Sequence, residues 1–178
     1  MRYLTSLGLF LALLVAPVGH GISAQAADLK ESIMFIELKS GTVKIALRED
    51  LAPGHVERMK TLINEKFYDG IVFHRVIDGF MAQTGDPTGT GMGGSDYPDL
   101  RAEFSSEPFR RGTLGMARSQ HPDSANSQFF ICFDDAGFLN GQYTVFGEVV
   151  EGMEHVDAIA KGEPPATPDK MISVRLED

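Results

Sequence analysis

The stretch FHRVIDGFMAQTGD, running from Phe73 to Asp86, decides how this chain is read. Two short runs of β-formers flank a bend signal at Asp78-Gly79, so the stretch predicts a pair of strands. Side chains alternate along a strand, which puts Arg75 on the face opposite His74 and Val76 and puts Met81 and Gln83 together. The same rule groups Gln128 with Phe130 in SQFFICF. A cation and amides lying among so much apolar surface, with no obvious nucleophile nearby, need a chemical reason. From pattern alone, these faces read equally well as ordinary barrel surface carrying solvated polar residues.

Working outward, the chain before Phe73 offers SIMFIELKSGTVKIALRED, two strand-like runs joined at Ser40-Gly41, which predicts a hairpin. A helix follows from Ala52-Pro53, with Val56, Met59 and Ile63 at helical spacing and proline in its first turn, and it is expected to end before Asp69-Gly70. After a long segment rich in glycine and proline come GTLGMA, SQFFICF and YTVFGEVV, each bounded by turn residues. GMEHVDAIAKG predicts a second helix with Met153, Val156 and Ile159 on one face, and MISVRLE closes the chain as a strand. The fold class expected from about eight short strands and two helices is mainly β: a closed eight-stranded antiparallel barrel capped by two α-helices.

The 178 residues suit one domain, and 43% hydrophobic content is ordinary for a globular chain. The first stretch differs: Arg2, an apolar run from Leu7 to Val15, and Ser23-Ala24-Gln25-Ala26 have the layout of a secretory signal peptide cleaved after Ala26. That divides the chain into a signal over 1–26 and a domain over 27–178. The run is shorter than the roughly 20 residues that span a bilayer, so no membrane association is expected after cleavage. Removing it takes away Arg2 and no acid, moving the formal charge from −9 to −10. Such acidity disfavours nucleic acid and anionic membrane as partners.

Several familiar chemistries fit poorly. Gly89 to Gly94 matches G-x-G-x-x-G, but Asp86-Pro87 precedes it and Ser95-Asp96-Tyr97-Pro98 follows, so no helix starts there to receive a pyrophosphate. No nucleophile elbow of the G-x-S-x-G kind is present. His121-Pro122-Asp123 and Asp134-Asp135 read as turns, no zinc or calcium spacing occurs, and neither a metal nor an organic cofactor is expected. His55 and His155 read as surface residues of the two helices. Cys132 is the only cysteine, which excludes an intramolecular disulfide, and its apolar surroundings predict a buried thiol.

Three separated blocks, FHRVIDGFMAQTGD, SQFFI and YTVFGEVVEGM, resemble the cyclophilin peptidyl-prolyl cis-trans isomerases, and the resemblance extends from about Ser32 to Val174. It implies the same eight-stranded barrel with two helices. It also implies that Arg75 is catalytic and that Phe80, Met81, Phe130 and Leu139 hold the substrate proline ring. Gln83 and Gln128 would line the groove, Ala117 and Arg118 would lie along the path of the residue before proline, and His74 would neighbour Arg75. Phe80 does not share the Met81 face by simple alternation, so a bend after Gly79 must reorient it.

The implied reaction breaks no covalent bond, which answers the absence of a nucleophile. It rotates the amide before proline against a resonance barrier of about 18 to 20 kcal/mol. A guanidinium donating to the prolyl nitrogen bonds more strongly as rotation localises the lone pair, and so favours the twisted state. The expected partners are proline-containing polypeptides exported with the enzyme, most simply in a bacterial periplasm, and the protein is expected to be a monomer. Three departures from the family stand out. Phe138 replaces a common tryptophan whose indole nitrogen binds cyclosporin in better-known members, so weak cyclosporin binding is expected. Tyr143 replaces a common histidine, and Arg118 a common asparagine. A proline-binding or chaperone module with little turnover is the alternative from another class.

Overall fold

Alternating side chains give one sheet two apolar faces, and this decides where everything else goes. The computed structural model describes residues 32–177, so the signal expected over 1–26 lies outside the described residues. The strands are β1 (Ile33–Leu38), β2 (Gly41–Leu47), β3 (Arg75–Ile77), β4 (Met81–Thr84), β5 (Thr113–Met116), β6 (Phe129–Cys132), β7 (Val145–Glu151) and β8 (Ser173–Leu176). They form one sheet in the order β3-β4-β6-β5-β7-β2-β1-β8, with every neighbouring pair antiparallel.

The sheet curls around its first face. Met34, Ile36 and Leu38 of β1, Val43, Ile45 and Leu47 of β2, and Val76, Ala82, Leu114, Ile131, Phe146 and Val174 of the other strands point into one buried core. Helix α1 (Pro53–Asn64) covers this core with Val56, Met59, Leu62 and Ile63. The expected eight-stranded mainly β fold with two helices is therefore present. Its closure differs from a continuous ladder, because β3 and β8 are the two ends of the sheet and meet through irregular chain. Isolated bridges pair Val72 with Lys170 and Val76 with Gly162, and Phe73 N–H donates to Asp169 O at 2.8 Å.

Two expectations change. Helix α2 covers only Met153–Asp157, because the Asp169 carboxylate accepts the Ala160 N–H at 2.8 Å and draws the chain out of the helix. His55 is fully buried and not on the surface. Its Nδ1 lies 2.6 Å from Glu103 Oε2, and the same carboxylate accepts the N–H groups of Gly54 and His55. An anion from a distant loop thus satisfies donors at the α1 N-terminus, where Ala52 has no side-chain cap of its own. Burial pushes the His55 pKa down, against the pull of Glu103. His155 is half-buried beside Gly41.

The glycine-rich segment after β4 is a loop wound around one carboxylate. Asp86 is 1% exposed and accepts backbone N–H groups from Thr88, Thr90, Gly91 and Gly93 at 2.6 to 3.1 Å. The Thr88 hydroxyl donates to it as well, at 2.8 Å. A Cβ on Gly93 would stand 2.2 Å from Asp86 Oδ1, so only glycine brings its backbone this close. Burial works to raise the Asp86 pKa, but the Thr88 hydroxyl and the converging amides outweigh it and hold the group at about 2.

A carboxylate ordinarily titrates near 3.9 in an unfolded chain, so the lowered folded value makes Asp86 a stabilising group above about pH 4. That contribution is lost as the pH falls from about 4 towards 2. We expect Asp86→Asn to lower the unfolding free energy at pH 7 by about 2 kcal/mol and to flatten the acid limb of stability over this window. Urea unfolding at a series of pH values checks this, and identical acid limbs in both proteins would refute it.

Candidate active site

The second face of the sheet is also apolar, and here the sequence builds a pocket floor. Met81, Phe109, Phe130, Cys132, Ala136, Leu139 and Val145 form a separate buried cluster, with Phe80, Ala117 and Tyr143 packed against it. Strand register sets out a row across this face, since Arg75 pairs with Gln83, Gln83 with Phe130, Phe130 with Gly115, and Gly115 with Val145. At Gly115 a Cβ would lie 2.3 Å from the Phe130 ring and 2.6 Å from the Phe109 ring. Glycine is required there so that those two rings can stack, with centroids 5.7 Å apart. Cys132 is buried in this cluster, where burial pushes its thiol up to about 12, so it carries no nucleophilic thiolate at neutral pH.

Above this floor is a groove of about 440 Å³ lined by Arg75, Phe80, Met81, Gln83, Ala117, Arg118, Phe130, Phe138, Leu139, Gln142 and Tyr143. Phe80 reaches it from the turn between β3 and β4, where Gly79 has φ +68° and Phe80 N–H donates to Ile77 O. The bend expected after Gly79 is therefore present. A 3-10 turn over Gly137–Leu139 supplies Phe138 and Leu139. Phe138 is 65% exposed at the rim, its ring 5.2 Å from that of Phe80. Tyr143 meets Phe130 edge-on at 5.8 Å.

Arg75 lies at the polar end of the groove and is held from two sides. Its Nη1 donates to Gln83 Oε1 at 3.5 Å, a long contact, while Nε donates to Glu163 Oε2 at 2.8 Å. Gln83 Nε2 in turn donates to Gln128 Oε1 at 2.9 Å, and Gln128 Nε2 donates to the carbonyls of Gly91 and Gly93. Arg75 is thus linked through two glutamines to the loop that Asp86 organises. Ser127 helps set Gln128, since its hydroxyl donates to Gly85 O and its carbonyl accepts from the buried Tyr68 hydroxyl.

Most of the residues expected at the site come together in this groove. Gln128 lines an adjoining hollow with Gln83, Ala117 and Arg118. His74 lines neither: alternation turns its ring to the face away from Arg75, where it is 6% exposed beneath Gly91. Among the described residues neither His74 ring nitrogen has a hydrogen-bond partner within normal geometry, and burial lowers its pKa against the pull of Asp86, which favours the neutral ring. Two residues at the site, one lining the groove and one pairing with Arg75, escaped sequence reasoning. Gln142 lines the wall and donates to Phe138 O. Glu163 is brought to Arg75 by paired hydrogen bonds of 2.8 Å between Val76 and Gly162, a contact that no local pattern announces.

Comparison with known proteins agrees with this arrangement. The family model described as "Cyclophilin type peptidyl-prolyl cis-trans isomerase/CLD" matches residues 33–176. The Brucella suis protein named "Probable peptidyl-prolyl cis-trans isomerase" is 53% identical over 182 residues, covering 93% of this chain and 92% of that protein. Peptidyl-prolyl cis-trans isomerase B of Bacillus subtilis is 41% identical over 137 residues, covering 76% of this chain and 90% of its own. Among solved structures, a Cryptosporidium parvum cyclophilin type peptidyl-prolyl cis-trans isomerase in the presence of the dipeptide Ala-Pro superposes with TM-score 0.76 at 29% identity, over 82% of this chain and 99% of that one. A curled antiparallel sheet with an arginine beside an apolar groove on its outer face, a family model spanning almost every described residue, and close relatives together establish that the chain belongs to the cyclophilin-type peptidyl-prolyl cis-trans isomerases.

Proposed function

We propose that Arg75 drives rotation about X-Pro bonds in exported proteins. The observation that carries this is the held guanidinium beside an apolar groove of side chains with no group suited to covalent chemistry. The proline ring sits over Phe130 and Met81, between Phe80 and Leu139, where burying three ring methylenes gains about 2 kcal/mol at about 0.8 kcal/mol each. Both planar isomers enjoy that burial equally, so it binds without accelerating. An Arg75 N–H pointed at the prolyl nitrogen differs: the bond strengthens as the amide twists and its lone pair localises.

Glu163 and Gln83 accept from Arg75 before substrate arrives, which reduces the ordering cost at the moment of rotation. The pocket also excludes water from the amide, weakening its charge-separated resonance. The setting we infer is outside the cytoplasm, on the signal-like layout of residues 1–26, with a bacterial periplasm as the compartment and newly exported polypeptides as clients. There an uncatalysed X-Pro step takes roughly 10 to 100 s, slow enough to limit folding. The protein acts as a monomer, without cofactor, nucleic acid or membrane.

Arg75→Ala is expected to lower kcat/KM on a short Ala-Pro peptide by about 10²-fold or more, mostly through kcat. A folded variant that kept the parent rate would remove Arg75 from the mechanism. A folded parent that bound proline peptides without accelerating rotation would instead favour a proline-binding chaperone module. Glu163→Ala should lower kcat several-fold, by about 1 kcal/mol of lost orientation, with KM nearly unchanged. An unchanged kcat would mean that Gln83 suffices. Phe138 offers no N–H donor at the rim, so cyclosporin should bind weakly, and Phe138→Trp should tighten it about tenfold, corresponding to one good hydrogen bond. Calorimetric titration of both proteins checks this, and equal affinities would refute it.

A further inference from the structure

Arg118 stands where the proline groove meets the adjoining hollow, and it lines both. Its guanidinium is pinned in place. Nη1 donates to the carbonyls of Ser119 and Gln120 at 2.8 and 3.2 Å, and Nη2 and Nε donate to Gln142 O at 2.8 and 3.2 Å. The group also lies over the Tyr143 ring, 4.6 Å from its centroid, and 6.0 Å from the centroid of the Phe104 ring.

Every one of those acceptors is neutral. Arg48, Arg75 and Arg111 are each paired with a carboxylate, whereas none lies within 4.0 Å of Arg118 among the described residues. Carbonyl bonds and aromatic faces orient a guanidinium but leave its charge in place. The groove therefore carries a fixed, uncompensated cation on a chain whose formal charge is −9. Because the side chain is already ordered, a substrate anion would meet it without paying for its rotamer freedom.

Two carboxylates limit where that anion can lie. Asp99 lines the far hollow, held there by the Asn126 amide at 3.1 Å, and Glu163 occupies Arg75 at the other end. An acidic side chain far along the hollow would face Asp99, and one near Arg75 would face Glu163. The favourable place lies between them. With the proline ring over Phe130, as in the function proposed above on which this inference rests, a residue adjoining the proline comes within reach of Arg118 at the junction of groove and hollow. We propose that Arg118 makes this enzyme favour substrates with aspartate or glutamate directly before proline. The overall acidity of the chain alone predicts the opposite preference, so the sign of the effect is diagnostic.

The test compares kcat/KM for short peptides that differ only in glutamate, glutamine or lysine before proline, using the parent, Arg118→Asn and Arg118→Lys. Two unit charges about 6 Å apart at a solvated groove favour the glutamate peptide over its isosteric glutamine partner by roughly threefold to fivefold. That ratio should shrink in about 0.5 M salt, where the Debye length falls to a few ångströms. It should approach one in Arg118→Asn and survive in Arg118→Lys, which separates charge from shape. Ratios are read within each protein, so a general loss of activity in a variant does not distort them. Equal rates for glutamate and glutamine in the parent, or a glutamate preference that persists in Arg118→Asn, would overturn the proposal and leave the isomerase site intact. Failure of the parent to turn over any peptide would overturn the site reading and this proposal with it.

Discussion

The register of four adjacent ladders is the constraint on which the site depends. Arg75, Gln83, Phe130, Gly115 and Val145 stand in one row across β3, β4, β6, β5 and β7. A slip of one residue in any ladder would turn a core residue such as Val76, Ala82 or Ile131 outward and take its neighbour out of the groove. Core packing and site geometry are therefore enforced by the same hydrogen bonds. The main core, with Phe146, Met59 and Tyr68 fully buried, fixes the register. The outer face receives its row of groove residues as a consequence.

The polar half of the site rests on a different kind of order. Gln128 bonds the carbonyls of Gly91 and Gly93, whose N–H groups point at Asp86. A single buried carboxylate thus organises the loop, the loop orients one glutamine, and that glutamine orients the next. Glutamine suits these positions because its amide donates on one side and accepts on the other, so the relay can run without a net charge. The letters of this loop match a nucleotide fingerprint, yet its amide donors are already satisfied by the chain's own anion. A pyrophosphate would have to displace Asp86 from several short hydrogen bonds.

Much of this was legible in the sequence, for identifiable reasons. Periodicity two located the strands, set Arg75 on the face opposite Val76 and grouped Met81 with Gln83, because the alternation is local and the core enforces it. The hairpin at Ser40-Gly41, helix α1 and the buried Cys132 were readable on similar grounds. What escaped depends on contacts between distant segments. His55 looked like a helix-surface residue because Glu103, its partner, is 48 positions away. Helix α2 looked longer because Asp169, which ends it, lies beyond the helix itself. Glu163 was invisible for the same reason, being joined to Arg75 only through the Val76–Gly162 bridge. Alternation already set His74 on the face opposite Arg75, and its buried ring lies on that face beneath Gly91.

The pairing of Arg75 with Glu163 raises the question of why the cation proposed to act on the amide should be partly neutralised. Both side chains are about half exposed, where an ion pair contributes only about 0 to 1 kcal/mol to stability, so the fold gains little from it. Nor does the pairing spend the donors that matter. Glu163 takes Nε and Gln83 takes one Nη1 hydrogen, which leaves the Nη2 hydrogens without an acceptor among the described residues. A guanidinium held at both Nε and Nη1 has lost its rotation before any substrate binds, yet keeps N–H groups that the proposed mechanism can direct at the prolyl nitrogen. On the same proposal, binding affinity resides in the aromatic floor, which would treat both planar isomers alike. On the mechanism proposed above, the rate resides in those unpaired Arg75 N–H groups, whose hydrogen bond grows as the amide leaves the plane.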